Sequence, residues 1–217
     1  MIKNKVALIS SIVILGICMF LYFPFPYNVM IEARSTFMSF PISNQDGFIL
    51  SGIIGSVLFI IAIILLGVSL KKYQLRTIVI VVISYAILPN LLITMYQETI
   101  ASGIMAVSYD GNGKCNFENV REDLLSGECS LVLHNRSNES VSFELEFLDS
   151  VFFEDEVRME SLMNLAGPYS ITIEANRKKS IHLKELLDVS DVPKHIEGGA
   201  STNIHFKITD DETTRIL

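Results

Sequence analysis

Val141-Ser142-Phe143-Glu144-Leu145-Glu146-Phe147 alternates apolar and polar residues without a break. In a strand, successive side chains point to opposite faces, so Val141, Phe143, Leu145 and Phe147 share one buried face and the residues between them face water. Shorter runs of the same kind lie at 104–109, 130–134, 169–175, 180–183 and 203–209. They are separated by Asp110-Gly111-Asn112-Gly113, Asn135-Arg136-Ser137-Asn138-Glu139-Ser140 and Asn176-Arg177-Lys178-Lys179. These residue types tolerate positive φ or hydrogen-bond their own backbone, so they punctuate strands. Six or more short strands spaced by turns predict an antiparallel sandwich over 104–217. The stretch 152–166 fits two periods: Met159, Leu162, Met163 and Ala166 make a helical stripe, while Val157, Met159, Met163 and Leu165 alternate. It is read as a strand followed by a loop.

Two of these segments carry a resemblance. Leu133-His134-Asn135-Arg136-Ser137-Asn138-Glu139-Ser140-Val141-Ser142-Phe143, followed by Ile171-Thr172-Ile173-Glu174-Ala175-Asn176-Arg177-Lys178-Lys179-Ser180-Ile181-His182-Leu183, resembles the bacterial immunoglobulin-like β-sandwich ectodomains of membrane-anchored cell-envelope proteins. In those domains an Asn-rich turn precedes a Val-x-Phe strand, and a late hairpin turns on Asn or Gly. The resemblance implies an Ig-like fold outside the cytoplasm and transfers no functional residue.

N-terminal to this region the chain has another chemistry. Residues 1–96 hold six Lys/Arg against two acids, a charge of +4, whereas residues 97–217 hold eleven against twenty-two, a charge of −11. Charged residues are 19% of the whole, below the quarter usual in soluble domains. Three uncharged apolar stretches, 6–23, 48–70 and 77–96, are long enough to cross a hydrocarbon core, which takes about 20 residues. The fold class predicted is a membrane α domain of three transmembrane helices over 1–96, a connector at 97–103, and an all-β extracytoplasmic domain over 104–217. An acidic outer domain argues against nucleic acid as a partner; the bilayer is the partner implied.

Basic residues in short loops set orientation. Lys3 and Lys5 precede the first span and Lys71-Lys72-Tyr73-Gln74-Leu75-Arg76 joins the second to the third, while the loop 24–47 has one Arg against Glu32 and Asp46. The N-terminus is therefore expected in the cytoplasm and the C-terminal domain outside the plasma membrane. The first span is too long for an ordinary signal peptide. Leu15-Gly16-Ile17-Cys18 approaches a lipobox, but Ile17 stands where a small residue is needed, leaving Cys18 as a plain buried thiol. Phe23-Pro24-Phe25-Pro26-Tyr27 suits the headgroup zone and ends the helix.

Ser51, Gly52, Gly55 and Ser56 form two small-xxx-small pairs on adjoining faces of the second span. Such pairs let helix backbones approach in lipid, either within the chain or against another membrane protein. Pro89-Asn90 in the third span predicts a kink and a buried amide.

Cys115 and Cys129 are the cysteines of the outer half, and an oxidising exterior permits a disulfide between them; the other reading is two thiols too far apart to bridge. His134, His182, His195 and His205 show no metal-ligand spacing. His182 and His205 are the metal candidates, on condition that their strands are neighbours. Otherwise both face solvent. Asp110-Gly111-Asn112-Gly113-Lys114 starts like a calcium loop, but Cys115 replaces the required Gly and Arg121 the bidentate acid. Glu154-Asp155-Glu156 and Asp210-Asp211-Glu212 read as solvated charge runs, and Asn135 and Asn138 head glycosylation sequons usable only in a eukaryotic secretory pathway. No catalytic or cofactor motif is present, so no cofactor is expected. The function expected is a non-enzymatic envelope protein that presents an acidic sandwich for binding or for assisting a membrane complex. An accessory subunit of a transporter or channel is the alternative. A surface metal-handling or hydrolytic enzyme would need His182, His205 and a carboxylate to converge.

Overall fold

The computed structural model describes residues 2–26, 33–44, 47–149, 157–211 and 213–217. The readings made on Tyr27, Glu32, Asp46, the acidic run 154–156 and Glu212 lie outside the described residues. The chain divides into two compact units, Met1–Thr94 and Met95–Leu217.

In the first unit, α1 (Lys5–Leu21), α2 (Leu50–Ser69) and most of α3 (Gln74–Thr99) are apolar helices. α2 and α3 are long and apolar enough to cross a membrane, with mean hydropathy of 2.7 and 2.3. α1 differs from the expected span 6–23: it has 17 residues, about 26 Å at 1.5 Å each, against a core of about 30 Å. Its helix stops at Leu21, ahead of Pro24, which disfavours helical φ and ψ at Phe23. The seam between α1 and α2 has heptad spacing. On α2 it buries Gly52, Gly55, Phe59, Ala62, Leu66 and Ser69, and on α1 Ala7, Ser11 and Cys18. Ser11 Oγ donates to the Ala62 carbonyl at 2.7 Å, the Cys18 thiol lies 3.9 Å from the Gly55 carbonyl, and the Ser69 carbonyl accepts from Lys3 N, so the two helices run antiparallel.

The loop 24–47 contains secondary structure the sequence reading lacked. β1 (Ser35–Phe37), β2 (Phe40–Asn44) and β3 (Gly47–Phe48) form a small antiparallel sheet. Phe40 is fully buried with Cys18, Phe59 and Tyr85.

In the second unit, a 3-10 helix at Gly103–Ala106 leads into β4 (Val107–Tyr109), β5 (Lys114–Arg121), β6 (Leu124–Asn135) and β7 (Val141–Leu148). Then come β8 (Tyr169–Ile173), β9 (Lys178–Asp188), β10 (Gly199–Thr202), β11 (His205–Thr209) and β12 (Thr214–Ile216). One antiparallel sheet has the order β10-β5-β6, with β9 on the far edge of β6; the other has the order β12-β11-β7-β8. β4 and β5 follow each other along the same edge of β6, pairing Val107 with Asn135 and then Lys114 with Ser130. Asp110 to Gly113 thus interrupts one long edge as a turn between β4 and β5, which do not pair with each other. The two sheets enclose one core that includes Phe117, Leu125, Leu133, Phe147 and Phe206. Burial alternates along β7 as its sequence predicts, with Val141, Phe143, Leu145 and Phe147 inside.

Two further differences have local causes. Glu160–Leu165 is a 3-10 helix where a strand and loop were expected. Asp149 accepts from Met159 N, Ser161 N and Ser161 Oγ, and the Asn164 amide pairs with both Phe147 N and Phe147 O at 2.8 Å, so side chains replace the strand ladder while Leu162 and Met163 fill the core. The stretch 97–103, expected as a connector, begins inside α3, and Asn90, expected as a buried amide, is exposed.

Candidate functional site

Cys115 and Cys129 stand directly opposite each other on β5 and β6 and form a disulfide within one sheet, both side chains buried. The 14-residue separation closes a loop whose cross-link removes about 3 kcal/mol of chain entropy from the unfolded state.

The histidines do not converge. His182 is exposed on β9, and His205 lies on β11 in the other sheet, so the condition for a metal site between them is not met. His205 is only partly accessible, a correction to the solvent-facing reading. Burial pushes its pKa down, against the opposing pull of Glu160 and a hydrogen bond to the Leu217 backbone. His134 is pushed down by burial first and then by Arg136 and Lys178. His195 Nδ1 is 2.8 Å from the Val192 carbonyl. Among the described residues no group of three His, Cys, Asp or Glu could hold a metal ion.

The calcium-like loop is a turn. The Asp110 carboxylate accepts from Asn112 N at 3.0 Å, which holds its pKa below the usual carboxylate range, and the Tyr109 hydroxyl accepts from Gly113 N.

Small residues of α2 serve the first unit itself. A Cβ added to Gly52 would stand 1.7 Å from the Pro41 carbonyl oxygen, and one on Gly55 would stand 2.7 Å from the rings of Phe40 and Tyr22. The Ser51 carbonyl accepts from the Tyr22 hydroxyl, and Ser56 Oγ donates to the Gly52 carbonyl at 2.8 Å. The Gly52 and Gly55 face is therefore filled by the chain's own β2.

Sequence reasoning missed a cluster at the start of the second unit. Arg215, 5% exposed on β12, donates from Nη1 to the carbonyls of Ile104, Met105 and Val107 at 3.2, 3.3 and 2.6 Å. Gln97, in the last turns of α3, donates from Nε2 to Met105 and Val107 at 3.1 Å. Arg136 pairs with Glu98 at 2.6 Å and donates to Ser108 Oγ at 3.0 Å. The last turn of α3 is thereby bonded into the second unit, to which 97–103 belongs. Beside it, Asn135 is fully buried. Its Nδ2 donates to the carbonyls of Glu139, Ile173 and Glu174, and its Oδ1 accepts from Ser137 N and Oγ. That sequon is a structural knot. Only its composition, Asn and Ser two apart at a strand end, was visible in the sequence.

Two open clefts lie on the second unit. One, of about 390 Å³, is lined by Thr172, Ile173, Glu174, Arg177, Lys178 and Lys179. The other, of about 340 Å³, has Ser142, Glu144, Ser170, Thr172, Asp210 and Asp211 among its lining residues. Compared with known proteins, the chain matches no family model, no curated relative and no solved structure.

Proposed function

We propose that this chain is a non-enzymatic cell-envelope protein, anchored by three membrane spans with its N-terminus in the cytoplasm and presenting an acidic Ig-like sandwich outside the plasma membrane for binding or for assisting a membrane complex. One observation carries the reading: a disulfide-linked β domain follows directly on an apolar helix of 26 residues. Disulfides persist in oxidising compartments. Counting α1 as a span requires local thinning of the bilayer or use of Tyr22 and Phe23, at a modest cost per ångström of mismatch. Lys71, Lys72 and Arg76 between α2 and α3 favour a cytoplasmic turn.

The strand order supports the Ig-like assignment. β5-β6-β9 corresponds to A-B-E, and β12-β11-β7-β8 to G-F-C-C′ on the opposing sheet. The disulfide departs from the antibody pattern, where the bridge joins the two sheets.

A second reading, an accessory subunit of a transporter or channel, is favoured by Asn90. Its amide is exposed on α3, beside exposed Ile87 and Leu91, and an amide at membrane depth gains most from a hydrogen bond to a neighbouring helix. Protease added to intact spheroplasts is expected to remove the outer domain while sparing an N-terminal tag. Protection of the C-terminal domain would overturn the topology. Co-purification from native-like lipid then separates the two readings: a stoichiometric membrane partner supports the accessory subunit, and recovery of the chain alone supports the anchored binding domain.

A further inference from the structure

We propose that the segment from Arg34 to Asn44 is a re-entrant hairpin, which enters the bilayer beside α2 and carries the Phe37 and Phe40 rings, next to its Met38-Ser39 turn, to about the depth of Phe59. This deepens the reading of α2 as a membrane span and rests on it.

The register fixes the path. Phe37 pairs with Phe40 and Thr36 with Pro41, which leaves Met38-Ser39 as a two-residue turn, with Met38 at φ 52°. β2 then lies along α2 in the opposite direction. The Ile42 carbonyl accepts from Ile49 N at 2.9 Å, the Pro41 carbonyl abuts Gly52, and the Phe40 ring abuts Gly55. Phe40 and Phe37 meet Phe59 at centroid distances of 5.9 and 6.2 Å. The Phe37 and Phe40 rings thus reach Phe59, ten residues along α2 from Ile49, about 15 Å at 1.5 Å per residue, or half of a 30 Å hydrocarbon core. α3 agrees, because Tyr85, 6.5 Å from Phe40, stands near the middle of its 26 residues.

Non-helical backbone is tolerated at membrane depth where it is buried in protein or lines a water-filled cavity. Both conditions have residues to meet them. Phe40 and Pro41 are buried, and Met38 and Ile42 pack on the same cluster. On the opposite side β1 exposes Ser35 and Thr36, with Arg34 at its mouth, a polar edge that draws water down from the outer surface. Gly52 and Gly55 are what let the hairpin seat, because any side chain at Gly52 would overlap the Pro41 carbonyl.

The chain has no tryptophan, so single substitutions give clean fluorescence probes. Full-length Phe37→Trp, Phe48→Trp and Ile61→Trp variants are reconstituted in vesicles of lipids brominated either near the headgroup or near the chain middle. The Phe37→Trp probe is expected to follow the deep profile of Ile61→Trp, with Phe48→Trp quenched by the shallow bromines. A shallow profile for Phe37→Trp beside a deep one for Ile61→Trp would overturn the hairpin and leave the span intact. A probe at Ile61 that no brominated lipid quenches would overturn the span and the hairpin with it. Adding Gly52→Val to Phe37→Trp is expected to shift its profile toward that of Phe48→Trp, and an unchanged deep profile would overturn the seating on Gly52 and Gly55.

Discussion

Arg215 Nη1 donates to the Val107 carbonyl at 2.6 Å, joining the last strand of the chain to the segment that leaves α3. Burial lowers the pKa of this guanidinium to about 10, so it stays charged near neutrality. Replacing it by Met removes the charged donor from all three carbonyls and leaves Met105 and Val107 with the Gln97 amide alone. Hydrogen bonds to a charged group contribute about 1.5 to 3 kcal/mol. Arg215→Met is therefore expected to cost at least about 2 kcal/mol, read from the urea midpoint of the detergent-solubilised chain followed by its β-sheet signal. Loss of less than about 0.5 kcal/mol would show that these bonds do not hold β12 to that segment.

The alternation along β7 gives a contrast between adjacent residues. Phe143 is 4% exposed and points into the core, whereas Glu144 is exposed. Phe143→Ala is expected to cost about 3 to 5 kcal/mol through lost burial and a residual cavity. Glu144→Gln should stay within about 0.5 kcal/mol. Equal shifts in the same denaturation measurement would contradict the burial pattern.

Where a signal was local, the sequence was legible. Period-two alternation at Val141 to Phe147 reports burial residue by residue, the long apolar runs report α2 and α3 as elements, and two cysteines in a domain expected outside the cell permit their bridge. Long-range partners left no such trace. β5 reads Lys-Cys-Asn-Phe-Glu-Asn-Val-Arg and buries Cys115 and Phe117, too few apolar residues to announce a strand. The Arg215 contacts join residues more than 100 positions apart, and nothing in Thr-Arg-Ile marks the arginine as buried. Gly52 and Gly55 were legible as small residues, but their occupant, Phe40-Pro41, came from a loop whose Pro and Ser disguise a strand.

Acid sensitivity should pass through His205. Burial depresses its folded pKa below the ordinary value, so between about 6.5 and that lower value the unfolded chain binds the extra proton. Stability is full above that window and falls as pH drops through it. His134 acts in the same direction. The midpoint of the wild-type β domain should therefore fall between pH 7 and pH 5, and His205→Gln should flatten part of that slope. An unchanged slope would show that His205 stays accessible to protons when folded.

The disulfide makes a compartment test and a stability test together. Thiol labelling of the denatured, unreduced chain should modify Cys18 alone, and reduction should expose Cys115 and Cys129. Reduction should also destabilise the domain by about 3 kcal/mol, a large part of the 5 to 15 kcal/mol typical of domains. Labelling of all three cysteines in material isolated from cells without reductant would place the domain in a reducing compartment.

The two sequons separate structure from modification. Asn135 has no exposed surface; its amide donates to Glu139 within the 135–140 turn and closes that turn onto the end of β8 through bonds to Ile173 and Glu174. Removing that amide leaves the buried Ile173 carbonyl short of a donor, a penalty of about 1 to 3 kcal/mol where no water replaces it, while the Glu174 carbonyl keeps its bond from Arg177 N. Asn138 lies at the surface, where its Oδ1 accepts from Asn176 Nδ2 at 2.9 Å. Asn135→Ala should therefore lower stability by at least about 2 kcal/mol, and Asn138→Ala by less than about 1. Asn135→Asp tests the direction of the bonds: it keeps the acceptor that Ser137 uses and removes the donor, so it should cost about as much as the alanine. Were Asn135→Asp as stable as wild type in urea denaturation at pH 7, the donated bonds would not be what holds the turn to the end of β8, which passes to β9 in the opposite sheet where the resemblance implied a hairpin.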